Sequence, residues 1–452
     1  MTIPIKKDKA FYQYAGSFVL LALVASIAGT FLRISLLLIY PLIALLIIAF
    51  YRFRISSNLL LLVSLAGLSF LLSFTGHPFL KYKLLSLFYL LPFLWLLFTN
   101  PVSDIETRRD SLTTFIKCLT AVAFINDSIG LVQIMINPKS DDSLLGIYTQ
   151  FSVSVNGLML LNTFLLFYYF VSYLYKKKPV YLFLGIFFLV CSVLGFYGAG
   201  LVICLAGFVL SFFQFRLKVV LRTFLVAAVS LASVYTLLYL IKPVTLEYNI
   251  ANLNKLIHPR LDGGPRKLIA FYNYAVSYPK NAKDFLFGSG PGTFNSRSAF
   301  MVGSPSYFTE VPFIKDSYQP YYFKNYAYPL WNETNTDQRL YLDGFRNQPF
   351  SSLLALLGEY GIIFTMVLAL IYIRYYYRVA KLYEQCSENR DARIKWRFFK
   401  FMMILLPLLL LIDNYLEYPE IMLLILPGIK FSHAGLLYIR QNPVPNEPSQ
   451  LL

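Results

Sequence analysis

Histidine and cysteine are scarce, with three and four residues respectively in a chain of 452. Cys118, Cys191 and Cys204 lie in apolar runs and Cys386 in a basic loop. The chain's long polar stretch therefore has no disulfide framework, and a zinc site lacks its ligands. Charge is thin as well: 14% of residues are charged against 57% hydrophobic, and the mean hydropathy is +0.59. A soluble globular chain of this length needs far less apolar surface, which leaves an integral membrane protein. Apolar–polar alternation is also missing. The apolar runs are continuous, which excludes a β-barrel. No internal repeat of fixed period is present. The formal net charge of +17 would suit nucleic acid, but the basic residues sit in short clusters between apolar runs. That pattern orients helices in a bilayer.

A span needs about 17 to 25 mostly apolar residues. By that measure the spans are Tyr14–Leu32, Ile34–Phe50, Ser57–Thr75, Leu84–Thr99, Ser111–Asn137, Phe151–Tyr175, Val180–Phe196, Gly198–Phe215 and Val219–Ile241, then Pro349–Ile373, Phe398–Ile412 and Glu420–Tyr438. The expected fold is an all-α polytopic membrane protein of about 12 transmembrane helices with one large extracytoplasmic loop. Residues 1–241 hold spans one to nine, 242–348 the loop, 349–440 the last three spans and 441–452 a polar tail. Basic clusters at Lys6–Lys9, Arg52 and Arg54, Arg108 and Arg109, Lys176–Lys178, Arg216–Arg222 and Arg374–Lys400 fall on one side. The short loops of the other side hold only Arg33, Lys81, Lys83 and Lys139. This asymmetry places both termini in the cytoplasm and the long loop outside. Ser26-Ile27-Ala28 would suit a signal peptidase, but a second apolar run follows at once, so the first segment reads as an uncleaved anchor.

The long loop is where chemistry is expected, because it is too rich in aromatics to be a disordered connector. Gly264 can cap a helix, Pro265 can open it and Pro279 can stop it. Leu268, Phe271, Tyr272 and Ala275 follow helical spacing for one apolar face. Arg266 and Lys267 then stand in the first turn, where cations oppose the helix dipole unless an anion binds between them and the free N–H groups. A guanidinium also matches phosphate oxygens bidentately. The plainer reading is a solvated helix end. Further on, the glycines of Phe287-Gly288-Ser289-Gly290-Pro291-Gly292 lack the strand–helix setting of a dinucleotide site and read as a tight turn that brings backbone close to the bilayer or a ligand. Tyr318, Tyr321, Tyr322, Tyr326, Tyr328 and Trp331 could stack on sugar faces or pack at the membrane interface. His258, near Arg260, could titrate near neutral pH.

Ionisable groups within spans are costly and usually face a cavity, which singles out Asp127, Glu359 and His433. Glu359 lies between Gly358 and Gly361, and glycines there suit close helix packing. For Glu359 and Asp127 a buried hydrogen-bonded role is the simpler expectation and a proton relay the sharper one. Asp413, Glu417 and Glu420 flank the last outer loop as an acidic rim or as ordinary loop charges.

These features together resemble the O-antigen polymerase and O-antigen ligase superfamily of bacterial cell envelopes. The likeness rests on one large outer loop before the last three spans and on Arg266 opening an aromatic helix. It rests further on Tyr278-Pro279 leading to Phe287-Gly288-Ser289-Gly290-Pro291-Gly292-Thr293-Phe294, and on Leu357-Gly358-Glu359-Tyr360-Gly361 where the chain returns to the membrane. The resemblance implies a metal-independent glycosyltransferase of the bacterial inner membrane, without nucleotide donor or cofactor. It would pass glycan from a polyprenyl-pyrophosphate-linked oligosaccharide to an acceptor sugar, among membrane lipid and beside a chain-length regulator and a flippase. It makes Arg266 the holder of the pyrophosphate, with His258 or Glu359 as nominees for proton transfer. Arg260, Lys267, Arg297, Tyr321, Tyr322 and Trp331 are the expected substrate contacts.

Two departures bear on the choice within the superfamily. Ser-Arg often follows the seventh span in its members, where this chain has Phe196-Tyr197-Gly198. Any second arginine then comes from Arg260 or Arg297. Ligases carry His-Asn at the start of the returning helix, where Phe350-Ser351 stand here, which favours a polymerase of O-antigen, capsule or exopolysaccharide over a ligase. A flippase for lipid-linked saccharides is the alternative from another class. Its charges would run along many spans, often in symmetric halves.

Overall fold

The computed structural model describes residues 56–74, 78–98, 105–136, 144, 146, 154–195, 198–212, 266–278, 281–305, 307, 312–331 and 349–442, with single positions between 232 and 250. The expected spans at 14–32 and 34–50, most of that at 219–241, and His258 and Arg260 lie outside the described residues. No strand occurs among the described residues. Five helical stretches are long and apolar enough to cross a membrane, and three shorter apolar helices accompany them.

The first half supplies α1 (Ser57–Leu72), α2 (Leu80–Phe98), α3 (Ile105–Ile136), α4 (Ser154–Lys176), α5 (Pro179–Leu194) and α6 (Gly198–Phe212). Local chemistry sets their ends. The Ser56 hydroxyl accepts from the Leu59 N–H, capping α1, and donates to the Phe98 carbonyl at the end of α2. Pro179 opens α5, where its missing N–H costs nothing. α1 buries Leu59, Leu62, Ala66 and Ser69 at helical spacing, while Leu60 and Leu71 stay 60% and 67% exposed. A helix apolar on both faces is at home in lipid, where its outward leucines lose nothing.

The middle segment forms α7 (Arg266–Val276), α8 (Ala282–Phe287) and α9 (Arg297–Gly303), then a π turn at Phe323–Ala327 that runs into a 3-10 turn. Its side chains make a core of their own. Tyr278, Phe294, Phe300, Tyr322 and Phe323 pack there with Tyr82 of α2 and with Phe350 and Leu354. The chain returns through α10 (Ser352–Ala355), a π turn at Leu356–Tyr360 and α11 (Gly361–Glu384). It ends with α12 (Arg390–Ile412) and α13 (Pro419–Gln441). The main core joins α3, α4, α12 and α13. Phe167 stacks on Phe401 at 4.0 Å, Phe164 meets Phe398 edge-on at 4.6 Å, and Phe115 meets Phe431 at 5.4 Å.

The face of α7 differs from its expected one. Leu268 and Tyr272 are 49% and 64% exposed, whereas Lys267 and Ala270 are buried. The spacing rule assigns apolar residues inward because it assumes water outside. Here Lys267 finds Asp413 and takes the inward face instead.

Candidate functional site

The site lies where the middle segment meets the ends of α2, α10 and α12. Its centre is Glu359, fully buried in the π turn. A π turn followed by Gly361 at φ +82° leaves carbonyls without helical donors. The Gly358 carbonyl accepts from the Ser289 N–H at 2.9 Å and from the Tyr278 hydroxyl. The Glu359 carbonyl accepts from the Gly290 N–H at 3.0 Å and the Ser69 hydroxyl at 2.8 Å. The glycine-rich stretch 288–296 then wraps the side chain. N–H groups of Gly292, Phe294 and Ser296 donate to the Glu359 carboxylate at 2.6, 3.1 and 3.0 Å, and the Ser86 hydroxyl approaches at 3.4 Å. The glycine turn expected to approach the bilayer or a ligand packs instead on an anion within the protein. That anion is the chain's own carboxylate.

Glycine is required at 292: φ is +69°, and a Cβ there would stand 2.2 Å from the Tyr82 carbonyl oxygen. A cavity of about 10 Å³, the room of one water molecule, is lined by Ser86, Ser296, Glu359, Tyr360, Asn414 and Glu417.

Next to Glu359 is a cluster of four buried charged side chains. Lys267 and Arg297 are 4% and 3% exposed, Asp413 and Glu417 6% and 5%. Asp413 interacts with both cations, and Glu417 with Arg297. The Ser298 N–H and hydroxyl donate to Glu417 at 3.1 and 2.6 Å. The Arg297 guanidinium lies 4.2 Å over the Tyr418 ring and bonds the Tyr307 hydroxyl. Burial shifts three of the four. It lowers the Lys267 pKa to about 8, against the pull of Asp413. Burial, with Glu359 nearby, pushes Glu417 up to about 7, and burial raises Asp413.

The remaining expected residues separate into groups. Arg266 opens α7 as its spacing suggested and donates to the Leu330 carbonyl, so it sits beside the turn that carries Trp331. Trp331 stacks on Phe350 with centroids 5.3 Å apart. Tyr322 lies on another flank, 8% exposed, its ring 4.2 Å from Tyr278 and its hydroxyl donating to Asp284 at 2.6 Å. Tyr321 is 48% exposed, the most accessible of the three aromatics expected to touch substrate. The fold thus brings Lys267, Arg297 and Glu359 together and keeps Tyr321 and Tyr322 with the segment's own core. Sequence reasoning missed Tyr307 and Ser298 and treated Asp413 and Glu417 as an acidic rim or as ordinary loop charges. Their i, i+4 spacing beside the outer loop was the available signal. Among the described residues no group of three or more His, Cys, Asp or Glu could hold a metal ion.

Among the described residues, fold and site together define a helical protein with membrane-length apolar helices and a buried charge cluster under a folded polar segment. Compared with models of known protein families the chain matches none, and no curated protein matches it either.

Proposed function

We propose that this protein is a polysaccharide polymerase of the bacterial inner membrane, with about twelve spans, both termini cytoplasmic and the 242–348 segment outside. It takes glycan from a polyprenyl pyrophosphate carrier and adds it to a lipid-linked acceptor repeat unit. The observation that carries the reading is that Lys267, at the start of α7, and Arg297, at the start of α9, are buried around Asp413, with Arg266 the neighbour of Lys267 in the same first turn. Basic groups held there suit an anionic carrier that arrives through lipid. In the reaction an acceptor hydroxyl attacks the anomeric carbon, the carbon–oxygen bond to pyrophosphate breaks and the hydroxyl proton leaves. Arg266 stabilises the charge growing on the leaving pyrophosphate, and a pre-positioned guanidinium does so more in the transition state than before it. Lys267 and Arg297, buried with Asp413 and Glu417, fix the segment from which Arg266 acts. Glu359 is a positioning residue, since its carboxylate already holds three N–H donors of the glycine-rich stretch. Glu417, with a pKa pushed to about 7, is suited to accept the hydroxyl proton, as is His258.

The test is Arg266→Ala in cells, scored by the size of the surface glycan at equal membrane abundance of the protein. Loss of one such electrostatic partner costs on the order of 10²–10³ in rate, so only single repeat units should remain. Arg266→Lys should rescue poorly because it loses the bidentate fork. An unchanged chain-length distribution would sink the site. Accumulated carrier-linked polymer would instead make the protein a ligase.

A further inference from the structure

Far from that site, Asp127 of α3 is fully buried in a segment long and apolar enough to cross a membrane. Its Oδ1 accepts from the amide nitrogen of Asn162 on α4 at 3.3 Å and from that of Asn126 at 3.4 Å. The Cys191 thiol of α5 borders the carboxylate, but a thiol is a weak donor. Two oxygens are left over. Asp127 Oδ2 and Asn162 Oδ1 are both buried and have no hydrogen-bond partner. Asn162 itself is fully buried. An ionised carboxylate is an acceptor only, so as an anion Asp127 leaves two acceptors facing no donor in a medium without water. Among the described residues no charged group offsets this: the side chains acting on the carboxylate are Asn162, Asn126 and Cys191. α13 also packs on α3, but its His433 bonds the Tyr375 hydroxyl of α11, and its Lys430 lies over that same ring.

One added proton resolves both orphans. We propose that Asp127 and Asn162 form a proton-binding site within the helical bundle, in which Asp127 is held as the neutral acid. The proton comes from solvent and stays on Asp127 Oδ2, which donates to Asn162 Oδ1 while Asn162 Nδ2 donates to Asp127 Oδ1. The two side chains then close a cyclic acid–amide pair with every leg satisfied. The pair ties α3 to α4 without placing a charge among the apolar helices, where charge is expensive. It stands independently of the glycan site, because none of its residues belongs to that cluster.

Infrared spectroscopy of the purified full chain at pH 7 tests it. The difference between wild type and Asp127→Asn should contain the C=O stretch of a protonated carboxyl group, and that stretch should shift in Asn162→Leu, where its hydrogen bond is gone. Asp127→Asn should unfold at the wild-type temperature, because an amide at 127 can donate to Asn162 Oδ1 in the same geometry. Asp127→Leu should unfold lower. Carboxylate bands alone in the difference spectrum would overturn the proposal, as would an Asp127→Asn protein that fails to fold. So would a wild-type unfolding temperature that rises with sodium over choline and loses that rise in Asp127→Asn, since the site would then hold a metal ion.

Discussion

A carboxylate taken out of water survives only where donors replace the water, and Glu359 obtains three of them from a single stretch of backbone. Hydrogen bonds to a charged acceptor are worth about 1.5–3 kcal/mol each, roughly twice the neutral kind. Glu359→Gln keeps the shape but replaces one acceptor oxygen with an NH2 that faces N–H groups or Ser86. The substitution should destabilise the protein by about 2–4 kcal/mol, read as a lower unfolding temperature, and cellular activity should fall in step with abundance. Activity lost at full abundance would instead make Glu359 a catalytic residue. Glu417 responds to pH. Its pKa is raised in the folded state to about 7, so folding favours the protonated form. That contribution is fully present below the ordinary carboxylate range and is lost as pH rises through about 7. Between pH 4.5 and 7 the unfolding temperature of wild type should therefore fall relative to that of Glu417→Gln. Parallel curves for the two proteins would show that Glu417 ionises as freely in the folded chain as in the unfolded one.

Among elements, the junction of the glycine-rich stretch with the π turn decides whether the polar segment docks at all. Gly292→Ala forces a side chain into the left-handed region, at about 1–3 kcal/mol, and drives its Cβ against the Tyr82 carbonyl. Limited proteolysis should cut residues 288–331 faster in this variant while α12 and α13 stay protected; an unchanged pattern would show that α2 yields. Each half of this junction was visible in the sequence, since Gly288, Gly290 and Gly292 read as a tight turn and Glu359 as a buried hydrogen-bonded group. Their pairing was not, because nothing local links residues so far apart in the chain. The same limit applies to Lys267 with Asp413 and Arg297 with Glu417. Helix existence was more legible, since it follows from contiguous apolar residues. The buried face of α7 was misjudged, because Lys267 turns inward toward Asp413, a partner that spacing alone does not reveal.

At the scale of the whole molecule, two basic clusters among the described residues, Lys176–Lys178 and Arg390–Lys400, lie at one end of the bundle and the docked polar segment at the other. Lys176, at the end of α4, pairs with Asp391, at the start of α12, at 2.8 Å. Both side chains are partly exposed, so the pair adds little stability, but it fixes Lys176–Lys178 and the Arg390–Lys400 stretch at the same end. α11 runs the length of the bundle between that end and the π turn, where the glycine-rich stretch docks. If the excess of Lys and Arg marks the cytoplasmic side, the docked segment faces outward. Ser317 and Glu388 are both exposed and lie at the two ends, on the polar segment and in the α11–α12 turn. In a cysteine-free background, Ser317→Cys should react with an impermeant thiol reagent in intact spheroplasts, while Glu388→Cys should react only after lysis. The reverse pattern would put Arg266 and the buried charge cluster on the cytoplasmic face. A carrier-linked glycan already moved outward could not reach it there, and nucleotide-linked sugars could. The labelling experiment therefore decides between two donor classes as well as two topologies.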